Sequence, residues 1–205
     1  GRTREIIPTG HTMPAKRKTA AKSVTTTSQK AVAATSTSLV TTNGARTVFP
    51  TRVDLPANTR TALGMILNER LADFLDLERQ AKQAHWNVKG PRFMQLHELF
   101  DATAALAVGW SDDIAERAVQ LGCVAEGTIQ AVAERSELPK APLNVSSADE
   151  WVHVVAEALA FCANAARADI AEAEAAEDAV TTDLLTRITG EADKQLWFVE
   201  SHLQP

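Results

Sequence analysis

Four long stretches of the chain carry apolar side chains at steps of three and four residues, the spacing that places them on one face of an α-helix. The first begins after Pro56, includes Leu63, Leu67, Phe74 and Leu77, and ends at the sequence NVKGP. Helices of this kind must bury their apolar faces against one another. The pattern therefore predicts an all-α protein built as a four-helix bundle.

The other helix boundaries follow from the same periodicity. A second long helix is predicted from about residue 93 to 121, and a third begins at SSADEW and continues to about residue 174. Ser147 and Glu150 have the S-x-x-E spacing of a capping box at its start. The fourth opens near VTTD. In the long connection between the second and third helices, TIQAVAERS predicts a short additional helix.

Charge divides the chain into a basic tail and an acidic body. Residues 1–50 hold eight Lys or Arg and one Glu, a net charge of +7, whereas residues 51–205 hold 13 Lys or Arg and 25 Asp or Glu, a net charge of −12. The Thr/Ser/Ala/Lys-rich part of the tail cannot bury enough apolar area to offset its ordering entropy. We therefore expect residues 1–49 to be a disordered basic tail that docks at Phe49, and residues 50–205 to be the bundle domain. Residues 1–12, before Met13, are interpreted as upstream or added sequence.

Several classes of protein and site are disfavoured. No stretch approaches the roughly 18 apolar residues of a membrane span, and the first residues lack the apolar region of a signal peptide. Cys123 and Cys162 fit no CxxC or zinc-finger spacing. Two such cysteines suit a reducing cytosol, where we expect both to be packing residues.

The second helix carries four candidate metal ligands on one stripe. With His97 as the reference and about 100° per residue, Asp101 lies at about 40°, Asp112 at about 60° and Glu116 at about 100° around the helix. They form two i,i+4 pairs whose midpoints are separated by roughly 22 Å along the axis. One ion cannot contact both pairs of a single helix.

A two-fold symmetric partner would bring the pairs together. An identical helix could cross antiparallel near Leu106, where the sequence ATAALAVG allows close approach. The Asp112/Glu116 pair of each chain would then face the His97/Asp101 pair of the other. His85, at the end of the first helix, could complete each site. Imidazole and carboxylate ligands without thiolate suit Fe(II) better than structural zinc. The spacing alone leaves open that the histidines only pack or cap helices and that the acids form a solvated face.

The segment KQAHWNVKGPRFMQLHELFD, residues 82–101, followed by DDIAERAVQLG, closely resembles the Dps family, also called miniferritins. The resemblance covers roughly residues 50–205, including DKQLWFVESHL. It implies a ferritin-like fold, a hollow homododecamer, and oxidation of Fe(II) by hydrogen peroxide or oxygen with storage of ferric mineral. The ferroxidase ligands it implies, between two subunits, are His85, His97, Asp101, Asp112 and Glu116, with Trp86 adjacent.

The resemblance also implies an acidic iron-uptake pore at three-fold axes. The matching segment here is EDAVTTD, in which Asp178 and Asp183 are the first candidates and Glu177 is a further one. Three copies of such carboxylates would concentrate Fe(II) by electrostatic focusing. The alternative is that Asp183 only stabilises its own helix through the helix dipole.

DNA binding, if present, must come mainly from the tail because the body is acidic. Five basic residues could neutralise phosphates without reading sequence: Lys16, Arg17, Lys18, Lys22 and Lys30. Such a protein would act in the cytoplasm, on the nucleoid. Two alternatives remain. One is a structural protein that compacts the nucleoid, and the other is a miniferritin that does not bind DNA, with a tail that aids solubility or docks on the acidic shell.

Overall fold

The structure, a computed structural model, describes residues 48–205. Five helices form the fold of this part of the chain. The helices are α1 (Ala57–Asn87), α2 (Phe93–Gln120), α3 (Ile129–Arg135), α4 (Ala148–Ala175) and α5 (Ala179–Glu200). Residues 48–205 contain no β-strand. The prediction of four long helices, with a short one between the second and third, is confirmed. The predicted tail lies outside the described residues, apart from Val48 and Phe49.

The bundle consists of two helical pairs, since α1 packs along α2, α4 packs along α5, and α1 joins the pairs by also contacting α4. Leu67, Leu159 and Ile188 are fully buried between them. Phe74 and Trp110 meet edge to face in the core, with ring centroids 5.6 Å apart. Burial of each large apolar side chain contributes about 1.5–3 kcal/mol, so this core is the main source of stability.

Side-chain caps fix the start of α4. Ser147 is the N-cap, and its hydroxyl accepts a hydrogen bond from the Glu150 main-chain N–H at 3.2 Å. The Glu150 carboxylate accepts from the Ser146 N–H at 2.7 Å. In a standard capping box that donor would be the N-cap residue itself, one position later. This hydrogen bond holds the pKa of Glu150 below its ordinary value. The helix start predicted from the S-x-x-E spacing is confirmed.

Buried polar groups of α1 hold the long connection in place. The Asn68 side chain donates to the Val124 carbonyl oxygen at 2.9 Å and accepts from the Glu126 N–H at 2.8 Å. Further along α1, Gln80 donates to the Pro139 carbonyl oxygen at 3.0 Å. The connection therefore has a fixed path along α1, because its main-chain groups find their partners there.

The described chain begins against the C-terminal end of α2. The Phe49 N–H donates to the Gly122 carbonyl oxygen at 2.6 Å, and Arg60 donates to the Leu121 carbonyl oxygen at 2.9 Å. Gly122 has a φ of +86°, and a Cβ there would lie 2.3 Å from the Phe49 carbonyl oxygen. Only glycine suits this position. The first described residues thus lie beside the C-terminal end of α2.

Candidate metal centre

A tight turn between α1 and α2 brings His85 and His97 together. Val88 ends α1 in an extended conformation, and Gly90 takes a φ of +107°. Glycine adopts such a conformation without strain. The two helices therefore run antiparallel, with His85 in the last turn of α1 and His97 in the second turn of α2. The imidazole rings stack with centroids 3.7 Å apart and planes 19° apart.

The two histidines are locked by reciprocal hydrogen bonds. His85 Nδ1 lies 2.8 Å from the His97 carbonyl oxygen, and His97 Nδ1 lies 2.9 Å from the His85 carbonyl oxygen. A carbonyl oxygen can only accept, so Nδ1 is the donor in both rings. In the neutral form of each ring, Nε2 then keeps its lone pair. A fixed Nδ1–H with a free Nε2 is the arrangement that metal-binding histidines need.

Asp101 lies next to this pair but is already engaged by a cation. Its Oδ1 is 3.9 Å from His85 Nδ1 and accepts a hydrogen bond from Lys82 Nζ at 2.6 Å. The bond from the Lys82 ammonium holds the pKa of Asp101 below its ordinary value. Lys82 Nζ also lies 5.9 Å from the ring centroid of Trp86, whose side chain is 61% exposed. The carboxylate is thus ionised and ready to bind a cation, but Lys82 must release it.

Asp112 and Glu116 lie farther along α2 with exposed side chains. Within residues 48–205 neither makes an ion pair or a side-chain hydrogen bond. The same residues of one chain contain no group of three or more His, Cys, Asp or Glu placed to hold a metal ion. Within residues 48–205, a single chain therefore keeps the two groups of candidate ligands apart.

Small and apolar residues separate the two sets on the exposed face of α2. Ala102, Ala105, Leu106, Val108 and Gly109 all belong to this face. Val108 is 52% exposed and Leu106 is 38% exposed. The predicted dyad position is therefore exposed in the single chain, and its small side chains would allow a second helix to approach closely.

The three pore candidates differ in their surroundings. Asp178 is buried, serves as the N-cap of α5, and receives two hydrogen bonds from one guanidinium nitrogen of Arg117, at 2.8 and 2.7 Å. Burial raises the pKa of Asp178, but hydrogen bonds from Thr181 and Arg117 outweigh this effect and keep the pKa below its ordinary value. Glu177 and Asp183 are exposed. The carboxylate of Asp178 is thus occupied within its own chain, whereas the other two face outward.

Glu177 has an unusual backbone. It takes a φ of +56° at the end of α4. Glycine is the common residue at such a position. The following Asp178 N–H donates to the Ala173 carbonyl oxygen at 3.1 Å, and the Glu177 N–H donates to that of Glu174 at 3.0 Å. These two bonds form the pattern of a Schellman motif. Glu177 thus lies at the sharp turn that connects α4 to α5.

Two functional contributions were missed from the sequence. Lys82 lies one helical turn before His85, so the i,i+3 spacing was a usable signal for its position on the same face. Arg117 lies 61 residues from Asp178, and no local pattern signals that pair. The basic residues assigned to the tail lie outside the described part of the chain. None of the helices within residues 48–205 is long and apolar enough to cross a bilayer.

Comparison with known proteins gives consistent matches. A family model described as a ferritin-like domain matches residues 65–205. The DNA protection during starvation protein of Agrobacterium fabrum is 40% identical over 154 residues, covering 75% of this chain and 95% of that protein. The protein of the same name from Mycolicibacterium smegmatis is 33% identical, covering 68% of this chain and 75% of that one. Among solved structures, DpsC from Streptomyces coelicolor superposes with a TM-score of 0.75 at 32% identity, covering 81% of this chain and 97% of that one.

Proposed function

This chain belongs to the Dps family of ferritin-like proteins, and we propose that it oxidises Fe(II) at sites shared between two subunits and stores the iron as ferric mineral. Two Fe(II) ions each give up one electron to one hydrogen peroxide, which takes up two protons and leaves as two water molecules. Paired transfer of this kind avoids release of hydroxyl radicals. Oxygen is the alternative oxidant.

The observation that carries this proposal is the reciprocal bonding of His85 and His97. Each Nδ1–H is fixed on a main-chain carbonyl oxygen, so each Nε2 is left to bind a metal ion without rearrangement of the ring. Preorganised ligands lower the cost of binding because little conformational freedom is lost.

An antiparallel partner helix completes the ligand set. With the dyad near Leu106, the Asp112 and Glu116 turn of the partner faces His85, His97 and Asp101. The exposed small residues between the two sets allow the helices to approach. Nitrogen and carboxylate ligands favour Fe(II). Both cysteines are buried elsewhere in the bundle.

We further propose that twelve subunits form a hollow shell, with iron entering at three-fold axes. Glu177 and Asp183 are assigned the direct attraction of Fe(II), since their carboxylates are exposed at the start of α5. Asp178 is assigned a supporting role, because its carboxylate is paired with Arg117 and caps α5. This division of roles revises the expectation that Asp178 itself lines the pore.

The protein is also proposed to bind DNA without sequence preference, on the nucleoid in the cytoplasm. The Agrobacterium fabrum relative is named for DNA protection during starvation. The proposed contacts are the tail residues Lys16, Arg17, Lys18, Lys22 and Lys30. Twelve tails on one shell would give avidity that a single tail lacks.

Iron loading under anaerobic conditions, followed by addition of peroxide, tests the proposed chemistry. We expect His85→Ala and Asp112→Ala to slow Fe(II) oxidation by about 10- to 100-fold, the range found when groups that support metal ligands are removed. Glu157→Ala, an exposed acid on α4, is the matched control and should oxidise iron at the original rate. If His85→Ala and Asp112→Ala oxidised Fe(II) as fast as Glu157→Ala and the unaltered protein, the assignment of the site would be contradicted.

A further inference from the structure

Three charged side chains are buried between α1 and α4, outside the proposed iron site. Arg70 Nη2 lies 3.0 Å from Asp73 Oδ2, and Arg70 Nε lies 3.5 Å from Asp169 Oδ2. The side chains of Arg70, Asp73 and Asp169 are only 9%, 1% and 16% exposed. One guanidinium therefore serves two carboxylates in a region that water reaches poorly.

The cluster has an unbalanced charge and unsatisfied polar atoms. With every group ionised, its net charge is −1. Arg70 Nε, Asp73 Oδ2 and Asp169 Oδ2 are buried, and none of the three has a hydrogen-bond partner within residues 48–205. Burying an incompletely compensated charge is costly. A proton on one carboxylate would remove the excess charge and supply an O–H donor.

The surroundings add negative charge to the cluster. Besides Arg70, the charged groups that act most strongly on Asp169 are Glu69, Asp73 and Glu172, all of them carboxylates. Asp73 is faced in turn by Glu137, from the connection before α4, and by Asp76 of α1. On the α5 side of α4, Asp193 is paired with Arg167 at 2.6 Å.

A neighbouring thiol responds to the same environment. Cys162 Sγ lies 3.6 Å from the Asp73 carbonyl oxygen. Burial raises the pKa of the Cys162 thiol well above its ordinary value, and the Asp73 charge raises it further. The thiol therefore stays neutral and adds no charge of its own.

We propose that the Arg70–Asp73–Asp169 cluster is a proton-binding site that couples mild acidification to firmer packing of α1 against α4. The ligand is a single proton, bound by one of the two carboxylates. Its uptake leaves one guanidinium opposite one carboxylate, which is a balanced pair. The helices joined by this pair form the largest contact between the two helical pairs of the bundle.

The direction of the pH effect follows from proton linkage. Burial raises the pKa of Asp169 from 3.8 to about 6, and it also raises the pKa of Asp73. At a pH between 3.8 and about 6, Asp169 therefore holds a proton in the folded chain that it has lost in the unfolded chain. The contribution of the cluster to the free energy of unfolding therefore increases as the pH falls from above 6 toward 4. Carboxylates with lowered pKa values, such as Asp178, act in the opposite direction.

Thermal unfolding of Asp169→Asn against the unaltered protein, at one protein concentration, tests the effect on stability. Asparagine is neutral at every pH and so mimics the protonated carboxyl group. At about pH 7.5 the variant should melt at a higher temperature, and the difference should shrink toward zero at about pH 5. A difference that is independent of pH, or that grows in acid, would overturn the proposal.

The control is Asp193→Asn, which removes an exposed carboxylate paired with Arg167. Surface ion pairs contribute little, so its melting temperature should stay within a few degrees of the unaltered protein at both pH values. An equal pH-dependent gain in this variant would show that general charge reduction, and not the buried cluster, causes the effect.

Infrared titration of the folded protein detects protonation of the carboxyl group directly. The measurement on the unaltered protein is informative even if Asp169→Asn is poorly folded. The C=O band of a protonated carboxyl group should appear with a midpoint at about pH 6 in the unaltered protein. The same step should be present in Asp193→Asn and absent in Asp169→Asn. If the unaltered protein shows no carboxyl protonation above the range of exposed acids, the site does not exist as proposed.

Discussion

At the scale of single residues, the main-chain carbonyl groups at the α1–α2 turn determine what the histidines can do. The last turn of a helix leaves carbonyl oxygens without intrahelical partners, and the His85 carbonyl is one of them. His97 Nδ1–H satisfies it, and the His85 ring returns a bond to the His97 carbonyl oxygen. The bond that completes the end of α1, together with the bond returned to the His97 carbonyl oxygen, thereby also sets the tautomer of both rings. The helix end and the proposed metal site thus depend on the same two side chains.

Lys82 gives a prediction at this scale. Its ammonium group neutralises Asp101 in the absence of metal, so a cation must displace it. We expect Lys82→Gln to bind Fe(II), or Co(II) as a redox-stable substitute, up to about tenfold more tightly, because a competing charge is removed. Anaerobic titration calorimetry measures the affinity. Lys194→Gln, which removes an exposed lysine near Phe198, is the control. Weaker binding by Lys82→Gln would mean that Lys82 assists the cation and does not compete with it.

The sequence was informative about which residues share a face and uninformative about their partners. Helix geometry placed Asp112 and Glu116 on the same stripe of α2 as His97. Both carboxylates are exposed in the structure. The tautomers could not be predicted, since they depend on carbonyl groups across a turn. Arg70, Asp73 and Asp169 could not be grouped either, because charges on two distant helices resemble solvated surface residues until the helices are packed.

At the scale of elements, α2 combines two separate tasks. Its exposed face carries the candidate iron ligands, while Arg117, buried near its C-terminal end, fixes the start of α5. Arg117 Nε donates to the Thr181 hydroxyl at 2.9 Å, and another nitrogen of the same guanidinium pairs with Asp178. The helix boundaries were predictable because periodicity and capping are local. This junction was not, because it joins residues far apart in the chain.

Arg117→Ala should destabilise the fold by about 3–5 kcal/mol, since it leaves the buried Asp178 carboxylate without its countercharge. Chemical denaturation of the variant measures the loss. The double variant Arg117→Ala with Asp178→Asn is the matched comparison, and it should recover part of the stability because no isolated charge remains. A single variant as stable as the original would show that the pair is dispensable and would weaken the structural role given to Asp178.

At the scale of the whole molecule, opposite charges are kept in separate parts of the chain. The acidic bundle suits collection of Fe(II), and the basic tail suits contact with phosphates. Phe49, which donates a hydrogen bond to the Gly122 carbonyl oxygen, lies beside the end of α2. Removal of residues 1–47 keeps this anchor, so we expect the bundle to fold and to oxidise iron unchanged.

The same deletion should abolish or strongly weaken DNA binding. Tail contacts with phosphates release counterions, so binding of the full chain should weaken steeply as salt increases. Gel-shift titrations of both forms at several salt concentrations measure this. Unchanged DNA binding after deletion would contradict the role of the tail and would favour contacts made by the bundle itself.

If one iron site takes ligands from two chains, as we propose, mixing two subunit variants should restore intact sites. His97→Ala and Glu116→Ala subunits are each expected to oxidise Fe(II) slowly. In a mixed dimer, one of the two sites carries both substitutions and the other carries neither. We therefore expect mixed assemblies, verified by mass spectrometry, to regain a substantial fraction of the original rate of Fe(II) oxidation. If verified mixed assemblies oxidise Fe(II) no faster than the two single variants, the shared site is contradicted.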